Sequence, residues 1–117
     1  MKVIIRPRGA GKTYEAIKYC SENNLVLIVS PNKIQHTENM IKDMLNRKEV
    51  TYPVRVLPMK EFIDNSENNR MIMHQHRGYF IDDIEYCGRI WGNGLLRGFT
   101  CNEHLDVDVR YGRFIDE

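Results

Sequence analysis

No apolar run in the chain approaches the ~20 residues that cross a membrane, and the only early apolar stretch is cut by Arg6, Arg8 and Lys12. No secretory leader and no membrane association are expected. Cysteine is scarce and odd in number, with only Cys20, Cys87 and Cys101. Three thiols make no disulfide scaffold, so a reducing, cytoplasmic setting is expected. An excess of charge of one sign is also missing, since 17 Lys+Arg oppose 16 Asp+Glu for a formal net charge of +1. Nucleic acid therefore feels no global attraction, and any contact with it has to be a local patch. Repeats, low-complexity tracts and linkers are absent. What is left, in 117 residues, is one modest core and hence one domain over 1–117.

Apolar runs alternate with helical patterns, the order of a parallel α/β domain. "KVII" (Lys2 to Ile5) reads as a short buried strand. Ala16, Ile17 and Cys20 share a face at helical spacing, which predicts a helix from Thr13 to about Glu22, broken by "SENN". "LVLIVSP" (Leu25 to Pro31) is a continuous apolar run suited to a central parallel strand. Ile34, Met40, Ile41, Met44 and Leu45 predict a second helix over roughly 33–48. "YPVRVLP" (Tyr52 to Pro58) reads as a third strand, followed by a short helix around Met59, Phe62 and Ile63 and an exposed loop over Asp64 to Arg70. "GYFID" (Gly78 to Asp82) reads as a fourth strand ending in carboxylates. In the tail, "RGFTCN" and the alternating "LDVDVRYGRF" are expected to pair as an antiparallel hairpin, with Leu105, Val107, Val109 and Tyr111 on one face.

"RPRGAGKT" stands between the first strand and the first helix. A glycine-rich turn in that position converges backbone N–H groups on an anion, and the helix dipole adds positive potential. Gly9, Ala10 and Gly11 allow the close approach; Lys12 supplies charge for the outer phosphates. Thr13 offers a hydroxyl to Mg²⁺, and Tyr14 continues the first helical turn. The pattern G-x-x-x-x-G-K-[ST] is departed from at its first position, where Arg6 stands, and Pro7 fixes one φ. These two residues alter the turn and leave the cradle. Arg8, or less readily Arg6, is a candidate to neutralise charge on a γ-phosphate; the alternative is an arginine folded onto solvent or a neighbouring carboxylate.

A phosphate loop that uses Mg²⁺ needs a carboxylate at a nearby strand end and, for hydrolysis, a group that orients water. "YFIDDIE" supplies Asp82 for the metal and Asp83 for the water, with Glu85 as a second candidate for the latter role. The alternative is that Asp82 and Asp83 only cap a helix.

"RGAGKT" together with "YFIDDIE" resembles the Walker A and Walker B motifs of P-loop NTPases. Because "LVLIVSP" ends in Ser30-Pro31 without a carboxylate, the order resembles the additional-strand division: helicases, AAA-type ATPases and phage DNA-packaging terminases. The resemblance covers roughly residues 1–102. It implies a compact three-layer α/β core with a mostly parallel sheet, ATP and Mg²⁺ as cofactors, and ATP hydrolysis in nucleic-acid processing. It also implies a homo-oligomer or a subunit of a larger motor complex, with DNA as a possible partner. "GFTCN" falls where such proteins carry a polar sensor strand, which makes Thr100 or Asn102 the implied γ-phosphate sensor. No adenine-binding segment before the first strand and no lid after the last are expected.

Other constellations are less specific. His74, His76, Cys101 and His104 contain zinc ligand types without a paired-knuckle spacing and read mainly as solvated loop residues. Cys20 reads as core, and Cys87 lies among carboxylates that disfavour a thiolate. Arg77, Arg89, Trp91 and Arg97 could touch single-stranded nucleic acid; the plainer reading is a core tryptophan and solvated arginines. Arg89, Arg97, Arg110 and Arg113 are also candidate fingers acting on a neighbouring subunit. Two other functions stand beside the ATPase: a non-hydrolysing nucleotide- or DNA-binding regulatory or oligomerising module, and a small phosphotransferase.

Overall fold

The computed structural model describes residues 1–7, 9–58, 75–84 and 96–102, and the backbone of 107–108 and 113–114. The elements are β1 (Lys2–Arg6), α1 (Lys12–Asn23), β2 (Val26–Val29), a 3₁₀ turn (Pro31–Lys33), α2 (Ile34–Asn46), β3 (Val56–Pro58), β4 (Tyr79–Ile81) and β5 (Leu96–Asn102). Two short strands, β6 (Val107–Asp108) and β7 (Arg113–Phe114), follow. Strands β1 to β5 form one sheet in the order β1-β5-β4-β2-β3, and every pairing is parallel.

The central strands β2 and β4 are buried on both faces, as the continuous apolar run of β2 predicts. Leu27 and Val29 point with Ile4 and Phe80 toward Ala16, Ile17 and Cys20 of α1 and Ile41 and Met44 of α2. Val26 and Ile28 point the other way, into a second cluster with Tyr79, Ile81, Ile84, Phe99 and Cys101. Both described α-helices thus cover one face, giving a five-stranded parallel α/β fold among the described residues. Helix α1 stops where Asn24 turns left-handed at φ 54°, its N–H bonding back to the Cys20 carbonyl. Asparagine tolerates that conformation, so "SENN" ends the helix as its composition predicts.

One expectation is corrected. "RGFTCN" does not pair with the tail; it is β5, inserted between β1 and β4 and parallel to both. Gly98 makes the insertion possible, since a Cβ there would lie 2.3 Å from the Lys2 carbonyl oxygen and 2.7 Å from the Phe80 ring. An antiparallel pair does exist in the tail; among the described residues it joins Val107–Asp108 to Arg113–Phe114. Residues 105, 109 and 111 of the expected apolar face, the predicted helix at 59–63 and the loop at 64–70 lie outside the described residues. "YPVRVLP" shortens to three strand residues at the sheet edge. No described helix is long and apolar enough to cross a membrane.

Candidate functional site

The C-terminal ends of parallel strands gather the sequence-predicted residues. The connection from β1 to α1 carries Gly9 and Gly11 at φ 75° and 78°, a conformation that β-carbon-bearing residues adopt only with strain. Gly11 is the N-cap of α1 and offers no side-chain bond. The first N–H groups of the helix, from Lys12 through Tyr14, have no acceptor within the helix and face outward from its end. An added Cβ at Gly9 or Gly11 would meet nothing within 4 Å, so the space over the turn is open. Ala10 closes the turn, its N–H bonding the Pro7 carbonyl at 3.3 Å. Tyr14 keeps its backbone in this first turn, while its ring lies near the Lys18 ammonium, 5.9 Å from the centroid. A hydrogen bond with Glu49 raises the Tyr14 phenol pKa.

Lys12 is only 7% exposed. Its Nζ donates to Asn102 Oδ1 at 2.9 Å and reaches the Arg6 and Pro7 carbonyls at 3.4 and 3.5 Å. The parallel register explains this meeting, since Arg6 of β1 stands opposite Asn102 of β5.

Asp82 follows β4 directly and is 2% exposed. Thr13 Oγ1 donates to its Oδ2 at 2.8 Å, and Thr100 Oγ1 donates to its Oδ1 at 2.6 Å. Burial pushes the Asp82 carboxyl above its ordinary value; the two hydroxyl bonds and Lys33 oppose that shift, whereas Asp83 adds to it. Asp83 has φ 55°, and its N–H donates to Thr100 Oγ1 at 2.7 Å. Thr100 therefore holds both aspartates, and its hydroxyl is committed to them. Asn102 is the polar residue of β5 that meets Lys12.

Nothing in the local pattern marks Lys33 as part of the site. Its ammonium forms an ion pair with Asp83 Oδ2 from the 3₁₀ turn after β2. The meeting follows from β2 lying beside β4, a neighbourhood invisible in one sequence. Arg6 forms an ion pair with Glu15, which is the folded-back alternative for that arginine. Arg8 and Glu85, the other two catalytic candidates, lie outside the described residues.

The possible zinc ligands do not assemble. His76 precedes β4, with Nδ1 3.0 Å from Asn24 Oδ1, whereas Cys101 sits buried near the far end of β5. His74 and His104 are outside the described residues, among which no three of His, Cys, Asp and Glu gather as a metal set. Cys20 is in the core, where burial raises its thiol pKa. Cys87, Arg89, Trp91 and Arg110 lie outside the described residues, and only the backbone is described for Arg113. No family model, no curated protein and no solved structure matches this chain.

Proposed function

We propose that the protein is a P-loop NTPase of the additional-strand division that binds ATP·Mg²⁺ and hydrolyses it in nucleic-acid processing. One observation carries this reading: Thr13, in the first turn of α1, and Asp82, at the end of β4, meet at 2.8 Å although 69 positions separate them. A hydroxyl and a buried carboxylate beside a glycine turn and a lysine are the donor set that Mg²⁺ and a triphosphate require. The insertion of β5 between β1 and β4 fits the additional-strand order. The three-layer core belongs to the same proposal, because the apolar cluster on the sheet face away from α1 and α2 needs a cover.

In this reading the N–H groups of residues 9–14 and the Lys12 ammonium hold the β- and γ-phosphates. Lys12 exchanges its bond to Asn102 for the γ-phosphate, and Asn102, beside Lys12, is the sensor of that group. Thr13 and Asp82 would hold Mg²⁺, and the Thr100 hydroxyl, bonded to Asp82, fixes that carboxylate. Bound Mg²⁺ screens the phosphate charge that otherwise repels a nucleophile. Asp83 orients water for in-line attack once its carboxylate is released from Lys33.

That same ion pair favours a second reading, a module that binds nucleotide without turnover, in which Lys33 never releases Asp83. Phosphate release from ATP and Mg²⁺, with and without DNA, separates the two. The ATPase reading expects turnover that Lys12→Ala and Asp83→Asn both abolish. Nucleotide binding without turnover selects the module, and phosphate transfer to a nucleoside instead of water selects a phosphotransferase.

A further inference from the structure

The opposite end of the sheet carries a different set of charges. Lys2 begins β1, Arg97 lies in β5, Arg77 stands two residues before β4 and Arg55 one residue before β3, and all four are exposed. The registers Lys2↔Gly98, Tyr79↔Leu96 and Leu27↔Val56 bring these positions to the same end of the sheet. In sheet order they follow one another along β1, β5 and β4 and, beyond β2, β3. At the usual strand spacing the row spans about 19 Å.

Hydrogen bonds to main-chain carbonyls fix the middle of the row, at Arg77 and Arg97. Arg97 Nε donates to the Arg77 carbonyl at 3.1 Å, and the Arg77 N–H donates to the Asn24 carbonyl at 2.9 Å. Asn24 Nδ2 in turn donates to the Gln75 carbonyl at 3.1 Å. Arg55 lies close enough to His76 to help depress its basicity, although burial is the larger cause. Among the described residues, the ion pairs are Arg6 with Glu15 and Lys33 with Asp83, and neither engages these four cations.

Two cavities, of about 370 and 410 Å³, open along this end, and Asn23, Leu25 and Arg77 line both. Tyr52, 66% exposed, lines the first; Tyr19 and Arg97 line the second. The Lys2 ammonium lies 6.0 Å from the Tyr19 ring centroid. Glu22 is the one acidic side chain among the described lining. Exposed cations with no carboxylate partner among the described residues, beside a cleft with an exposed aromatic ring, have the chemistry that takes a phosphodiester backbone and stacks an unpaired base.

We propose that the N-terminal end of the sheet binds single-stranded nucleic acid, with Lys2, Arg55, Arg77 and Arg97 on the phosphates and Tyr52 against a base. The surface is distinct from the nucleotide site at the other end of the same strands and stands independently of that reading. Single strands are favoured over duplex because the cleft offers rings to bases that a duplex keeps stacked on one another.

The test is fluorescence anisotropy of a labelled 20-nucleotide oligothymidine, titrated with the full chain between 50 and 200 mM salt. Four phosphate contacts predict a log–log salt slope of about −2.8, which is roughly a 50-fold loss of affinity over that range. Replacing Arg77 and Arg97 together by Ala reduces the slope to about −1.4 and the loss to roughly sevenfold. Replacing both by Lys retains the slope, which separates lost charge from lost fold. Tyr52→Ala weakens binding about tenfold with the slope unchanged. Absence of binding, an unchanged slope in the double Ala variant, or equal affinity for a duplex of the same length overturns the proposal.

Discussion

The two ends of one parallel sheet use polar residues in opposite ways. At the C-terminal end Lys12, Asp82, Asp83, Thr100 and Asn102 are all buried, and each is bonded to another member of the group or to Thr13 or Lys33. At the N-terminal end Lys2, Arg55, Arg77 and Arg97 are exposed and have no carboxylate partner among the described residues. Burying polar groups is costly unless they are bonded, and a bonded set is held in one geometry. Exposed cations cost little and adapt to a flexible polyanion. The buried end thus suits the positioned chemistry proposed for it, and the exposed end the sequence-tolerant binding proposed there.

The largest expected effect breaks the buried end. Asp83→Asn lowers ATP turnover by about a thousandfold, the middle of the range for removing a group that orients or activates the nucleophile. Phosphate release reads it, with nucleotide binding retained. Next, Gly98→Ala forces a Cβ against the Lys2 carbonyl and the Phe80 ring and destabilises the fold by about 2 kcal/mol, measured by urea unfolding. Because β5 carries Thr100 and Asn102 at one end and Arg97 near the other, this variant disturbs both ends together.

Lys33→Ala removes the partner of Asp83 and costs about 1 kcal/mol, since the lysine itself is 39% exposed. On the Asp83→Asn background the same change costs less, and that non-additivity in a double-mutant cycle is the signature of the pair. The smallest effect belongs to the exposed end. Burial, and then the Arg55 charge, hold His76 below its ordinary 6.5, so the folded state binds that proton less tightly than the unfolded state. The contribution of His76 to stability is therefore complete above pH 6.5 and declines as the pH falls through and below it. His76→Gln flattens that part of a thermal-unfolding profile against pH.

Local pattern made the buried end legible and left the rest obscure for a physical reason. Gly9 to Thr13 and Asp82-Asp83 announce themselves by residue type between a strand and a helix or at a strand end, and the structure brings Thr13 to Asp82. Strand partners leave no comparable mark on one sequence. The seven residues of β5 alternate well enough to suit a hairpin, and only the sheet shows that Gly98 lets them pass between β1 and β4. Lys33 escaped notice because its meaning depends on β2 lying beside β4. The cationic row depends on the order of all five strands in the sheet, so Arg77 and Arg97 could be noticed singly while Lys2 and Arg55 could not be joined to them.

The central claim is that the turn between β1 and α1 holds a nucleoside triphosphate with Mg²⁺. Calorimetric titration of ATP into the protein, with and without Mg²⁺, tests it most directly. The account predicts saturable binding at one site that weakens when Mg²⁺ is omitted, is lost in Lys12→Ala and is weakened in Thr13→Ala only when Mg²⁺ is present. No binding by the unaltered chain, or binding indifferent to both substitutions, would contradict it.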